Sequence, residues 1–159
     1  HMNKPNLKKL LALLALSSLL IACGEAESPG NVAGSDETTA VGTGRWYSQQ
    51  QLDNGAQVFA TNCSVCHGDQ AQGLTADWRS RQANGSFPPP PLNGSAHAWH
   101  HPVSVLLQVI DFGGEDLGGQ MPPFESVLNQ DEKMAAIAYF QSFWPDELYL
   151  DWVDMGGVN

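Results

Sequence analysis

Apolar residues along this chain collect into five stretches, separated by segments where Gly, Pro and polar residues take over. The foremost, Leu10 to Ile21, is a Leu-rich run of twelve residues. As a helix it would span about 18 Å at ~1.5 Å per residue, short of the roughly 30 Å of a bilayer's hydrocarbon core. The other four have helical spacing. Leu52, Ala56 and Phe59 recur every three or four residues, which predicts a helix to about Asn62 with Ser48 as its N-cap. Gly55 lies near that stripe, where the missing side chain lets another helix cross closely. Leu106, Leu107 and Ile110 predict a second helix from Val103 to about Asp111, following Pro102. Met134, Ala135, Ile137 and Ala138, with Phe140 or Tyr139, predict a third from Asp131 to about Phe143, ended by Pro145. A short extra helix from Asp146 to Met155 would carry Leu148, Trp152 and Val153 on one side. The connections at Asn84–Gly94 and Gly113–Pro123 are rich in Gly and Pro. No stretch alternates long enough for a strand, so the expected fold class is all-α, with three main helices.

The front of the chain reads as an address rather than as part of that fold. Lys4, Lys8 and Lys9 precede the apolar run, the order of a secretory signal peptide over residues 1–22. His1 before Met2 has the look of a vector remnant. Leu20-Ile21-Ala22-Cys23 resembles the bacterial lipobox, in which cleavage precedes a Cys that carries a diacylglycerol. That resemblance implies a lipid on Cys23 and a periplasm-facing lipoprotein. Gly24 after it, in place of Asp, implies the outer membrane. Residues 24–44 hold Gly, Ser, Thr and acids with no aromatic, too little apolar surface to offset the entropy of ordering. As a flexible coil they would reach roughly 25 Å, a tether between lipid and head. Residues 45–159 are then one small domain, a size at which a buried cofactor adds apolar surface the chain itself lacks.

Charge narrows the partners. Beyond the signal, four basic residues (Arg45, Arg79, Arg81 and Lys133) face seventeen acids. This balance excludes nucleic acid and suits redox protein partners with a basic docking patch, or simply solubility in the periplasm.

The chemistry sits in Cys63-Ser64-Val65-Cys66-His67. Two thiols two residues apart, with an imidazole directly after, form the pattern of c-type haem attachment. The spacing suits two thioether bonds on one edge of a porphyrin, with His67 turning beneath it toward iron. A redox dithiol would want a βαβ setting, and a zinc site would want a second ligand pair. Neither context is present in the sequence. With Cys23 assigned to lipid and Cys63 and Cys66 to one covalent haem c, no Cys is left for a disulfide.

With this signature in place, Ser48 to Trp144 resembles a class I cytochrome c. The spacing of Gly55, Phe59 and Cys63 is similar to that family's first helix, and the run ending at Tyr139 and Phe140 to its last. Pro90-Pro91-Leu92-Asn93-Gly94 resembles the family's Pro-x-Leu-x-Gly stretch, which implies that Pro90 and Leu92 belong to the haem site and that the Pro90 carbonyl receives the Nδ1 proton of His67. Pro88–Pro91 as a plain polyproline spacer is the other reading. Gly119-Gln120-Met121-Pro122-Pro123-Phe124 resembles the family's ligand loop, so the resemblance implies His67 and Met121 as the axial pair, with the glycines letting the loop pass close to the porphyrin. His97, His100 and His101 remain open between a structural or propionate role and a metal site.

An iron filled on both sides by protein implies a one-electron carrier, not an enzyme. Two other readings stand beside it. One is a haem sensor or gas-binding protein in which Met121 leaves the iron. The other is a subunit or assembly factor of a dehydrogenase or oxidase, with a possible copper link through the three histidines. Residues Phe87 to Trp99 also resemble cytochrome domains attached to quinoprotein dehydrogenases.

Overall fold

The computed structural model describes residues 44–159. The expected signal peptide, Cys23 and all of the tether before Gly44 lie outside the described residues. Five helices form: α1 (Gln49–Asn62), α2 (Ser64–His67), α3 (Val103–Phe112), α4 (Gln130–Gln141) and α5 (Asp146–Asp154). Short 3₁₀ turns at Ala98–His100 and Glu115–Leu117 lie in the connections. No β-strand occurs among the described residues, so the chain is all-α as expected. No helix among them is long and apolar enough to cross a membrane.

The helix starts follow from their caps. Ser48 accepts from Gln51 N while its own N–H donates to Gln51 Oε1 at 2.9 Å, a reciprocal capping box. Asn129 and Glu132 repeat the device at α4, whose first turn also carries Asp131 and Glu132 against the positive helix end. α3 stops at Gly113, whose φ of 83° suits glycine. α4 ends two residues before the expected Phe143, because Ser142 turns back and its hydroxyl donates to Tyr139 O at 2.6 Å.

α1 crosses α4 at Gly55. A Cβ built there would lie 2.0 Å from Ala135 O and 2.7 Å from Ala135 C, so only hydrogen fits. Phe59, Ile137, Phe140 and Trp144 fill the core around this crossing. Tyr139 tilts against Phe59 with ring centroids 5.1 Å apart.

The C-terminal stretch, expected as a short extension, is built into the same core. Tyr149 and Trp152 are buried, and Trp152 meets Trp144 edge to face. Trp152 Nε1 donates to His101 O at 2.8 Å, and Val103 N donates to Gly157 O at 2.7 Å. Arg45 closes the other side. Its buried guanidinium lies over the Tyr149 ring at 4.1 Å, donates to Gln141 O and Trp144 O, and pairs with Asp146 at 2.6 Å. Trp46 N donates to the Tyr149 hydroxyl at 2.9 Å.

Burial pushes the phenols of Tyr47 and Tyr149 above the ordinary tyrosine value, against the opposing pull of Arg45. A phenol that ionises more easily in the unfolded chain favours unfolding once the pH passes the unfolded value. Stability is therefore expected to fall as the pH rises above about 10. Denaturant midpoints across that range check it, and Tyr47→Phe with Tyr149→Phe should flatten the slope.

Candidate functional site

α1 and α2 meet at Cys63, which caps the end of one and the start of the other with φ −119° and ψ −38°. Its carbonyl receives both Cys66 N and His67 N, so the two thiols and the imidazole occupy one tight turn. Cys63 is half-buried against the core and Cys66 is exposed. Burial, with the neighbouring Cys66, pushes the Cys63 thiol up to about 11.

His67 is buried, and its Nδ1 lies 2.9 Å from Pro90 O. A carbonyl only accepts, so the ring proton sits on Nδ1 and the lone pair sits on Nε2. Nε2 has no hydrogen-bond partner among the described residues. Burial lowers the His67 pKa while the Pro90 bond opposes the shift, which favours a neutral imidazole.

The Pro90 carbonyl is aimed by backbone contacts on both sides of it. After His67 the chain turns at Gly68, and Gly73 N donates to His67 O at 2.6 Å. Fully buried Ala71, at a φ of 55° unusual for a side-chain-bearing residue, presents its carbonyl to Leu92 N at 2.7 Å and Asn93 N at 3.1 Å. Trp144 Nε1 donates to Leu92 O at 2.7 Å, and the Leu92 side chain packs against the core. Ala71 and Trp144 escaped the sequence reading. The glycines of Gly68-Asp69-Gln70-Ala71-Gln72-Gly73 were the available sign of a turn there.

Met121 lies on a separate loop. Gly114 N donates to Met121 O at 3.0 Å, and a Cβ on Gly113 would stand 2.5 Å from that oxygen. These two glycines thus admit Met121's own backbone, a role the sequence reading had not given them. Residues 84–92 join the two halves of the site. Phe87 N donates to Gly118 O at 2.8 Å and Asn84 Nδ2 to Gln120 Oε1 at 3.2 Å, while Pro90 holds His67.

His97, His100 and His101 do not converge. His97 stacks on Trp78 with centroids 5.4 Å apart, and His100 stacks on Trp99 at 3.7 Å. His101 meets His97 edge-on at 5.6 Å. No group of three His, Cys, Asp or Glu among the described residues is arranged to hold a metal ion. These histidines pack with aromatic rings.

Residues 50–140 match the family model described as cytochrome c oxidase, cbb3-type, subunit III. The chain belongs to that family. It is a c-type cytochrome of the electron-transfer, haem-carrying kind. The cbb3-type cytochrome c oxidase subunit FixP of Sinorhizobium medicae (strain WSM419) is 32% identical to it over 100 residues, covering 59% of this chain and 30% of the relative. The chain thus spans less than a third of that relative's length. No solved structure matches. For a subunit III-family cytochrome the implied group is haem c, and the residues present fit it. They comprise two unpaired thiols in one turn and a buried imidazole whose free lone pair is fixed on Nε2.

Proposed function

We propose that the chain carries one haem c, linked through Cys63 and Cys66, with His67 and Met121 as axial ligands, and works as a one-electron carrier. The observation that carries this reading is the 2.9 Å contact between His67 Nδ1 and Pro90 O. A neutral, buried imidazole with its proton fixed on the far nitrogen is a ligand prepared before any metal arrives. The haem supplies a one-electron iron couple when bound. The protein's share is to aim Nε2, to keep water from the proximal side by burying His67, and to offer a soft thioether from Met121, which raises the potential. Pro90 orients the ring and Leu92 holds the strap that carries it.

The envelope setting belongs to the same reading. Residues 1–22 are proposed as a signal peptide, Cys23 as the lipid attachment site and residues 23–44 as lipidated Cys and tether. The head, residues 45–159, then faces the periplasm, with Gly24 favouring the outer membrane. Beyond the signal, four basic residues against seventeen acids support a partner with a basic docking patch and no nucleic acid. Family membership supports an oxidase of the cbb3 type as one such partner. A mass measurement of the membrane-extracted protein tests lipid and haem together.

The ligand assignment is tested by Met121→Ala. The ferric protein is expected to show the weak far-red band of sulfur bound to iron, and the variant to lose it. A band that survives the substitution removes Met121 from the iron. Rapid CO binding by the unaltered ferrous protein would instead favour the gas-binding reading.

A further inference from the structure

Two charges in this domain stand at the wrong ends of their helices. Asp111 lies in the last turn of α3, where the helix end is already negative, and Lys133 lies in the first turn of α4, where it is already positive. Neither placement helps its own helix. Lys133 is also the only lysine among the described residues, and its side chain is 7% exposed. A lone ammonium is not kept out of water without a specific partner. Its Nζ lies 2.5 Å from Asp111 Oδ1, a charge contact off the hydrogen-bonding line, and that oxygen has no other partner.

The same end of α3 carries the Met121 loop. Phe124 N donates to Ile110 O at 2.9 Å and Glu125 N to Asp111 O at 3.3 Å, so the loop leaves and returns at Ile110 and Asp111. Inside it, Gly114 N donates to Met121 O and Gly119 N to Gly114 O. The loop is therefore fixed to α3, and α3 is fixed to α4 at the residue where the loop closes.

We infer that the Asp111–Lys133 pair is the latch that keeps the Met121 loop closed, which makes both side chains positioning residues for the electron-transfer site. The inference rests on Met121 as ligand. Broken from either side, the pair leaves a buried or half-buried charge whose easiest relief is to swing the end of α3 toward water. The loop moves with it, and Met121 leaves its place before the helices unfold.

The test uses the haem-loaded full chain with Asp111→Asn, Lys133→Met and the charge swap Asp111→Lys/Lys133→Asp. Two signals are followed on heating, the far-red ferric band and the far-ultraviolet helix signal, and CO uptake is timed on the ferrous form. Each single variant is expected to lose the band well below the temperature at which helix is lost, and to take up CO at least about tenfold faster, the equivalent of ~1.4 kcal/mol of loop opening. The swap re-forms the pair with each charge now matching its helix end, and is expected to restore the band and the slow CO uptake. Single variants that lose band and helix together, with CO uptake unchanged, overturn the latch. If the single variants yield no haem-loaded protein, the swap decides alone, and its failure to hold the band overturns the latch too. A band in the unaltered protein that Met121→Ala leaves intact defeats the ligand assignment and takes the latch with it. A band that depends on Met121 but ignores both charges defeats the latch alone.

Discussion

Gly55→Ala is expected to destabilise the protein by about 3 kcal/mol or more, against a helix-propensity gain of ~1 kcal/mol in the other direction. The opposed signs make this substitution decisive. In an exposed helix, replacing Gly by Ala removes backbone freedom from the unfolded chain and stabilises. Here the added carbon would stand 2.0 Å from Ala135 O and 3.0 Å from Tyr139 Cβ. Two of its three nearest atoms, the Ala135 carbonyl oxygen and carbon, are backbone, so no rotamer change relieves the clash. α1 and α4 must separate, and the contact of Phe59 with Tyr139 and the core cluster it shares with Ile137 loosen with them. A loss of this size is a large part of the 5–15 kcal/mol that ordinarily holds a domain together. Thermal unfolding of the haem-loaded protein followed by circular dichroism should show a fall of roughly 10 °C or more. A rise in the midpoint would show that α1 and α4 leave room for a methyl group at Gly55.

The α1 side of that crossing was legible because its signals are local. Gly55, four residues before Phe59 on one stripe, announces both the buried face and the close approach, and Ser48 with Gln51 announces where the helix begins. Gly113 marks a stop that the backbone obeys, while Pro145 stands at the start of α5. The His67–Pro90 contact, 23 residues apart, was legible only through resemblance, since no periodicity connects a ring to a distant carbonyl. Arg45 was illegible for the same reason in stronger form. Read alone, it is one of the four cations beyond the signal on an acidic chain. Its burial depends on Gln141, Trp144 and Asp146, about a hundred positions away, meeting around it. Lys133 reads as an ordinary surface lysine on a helix, and only the placement of α3 across α4 shows its charge to be enclosed. Tyr149 stayed hidden because Leu148, Trp152 and Val153 already suffice for an amphipathic face, while the structure turns that helix so that Tyr149 and Trp152 are the buried pair.

The clustering of these misses at the chain's end leads to the other large expected effect. The family match stops at residue 140, so α5 and the tail lie outside the matched residues. Removing residues 146–159 is nevertheless expected to abolish a stable fold. The cut takes Asp146 and the Tyr149 ring from Arg45, leaving a guanidinium that is 7% exposed without its carboxylate. The Asp146 carboxylate is largely exposed and the cut opens Arg45 to water, so the lost charge-assisted bond costs about 1.5–3 kcal/mol. The cut also bares Trp144, which is 2% exposed in the intact chain, by removing Trp152 and Leu148. Loss of one large buried aromatic adds another ~3–5 kcal/mol. His101 O and Val103 N lose their partners as well, which frees the entry to α3. Trp144 in turn holds Leu92 O, so the disturbance reaches the strap that aims the Pro90 carbonyl at His67. Trp152→Ala is the graded form of the same experiment. It removes the ring and the Trp152 Nε1 bond to His101 O while leaving the Arg45 contacts in place, and is expected to lower stability by ~3–5 kcal/mol without unfolding the chain at room temperature. Denaturant unfolding of both variants, with haem content measured on the purified protein, checks the pair of expectations. A truncated chain that binds haem and melts like the full one would show that Arg45 and Trp144 find other cover, and that the end of the chain is ornament to the core rather than part of it.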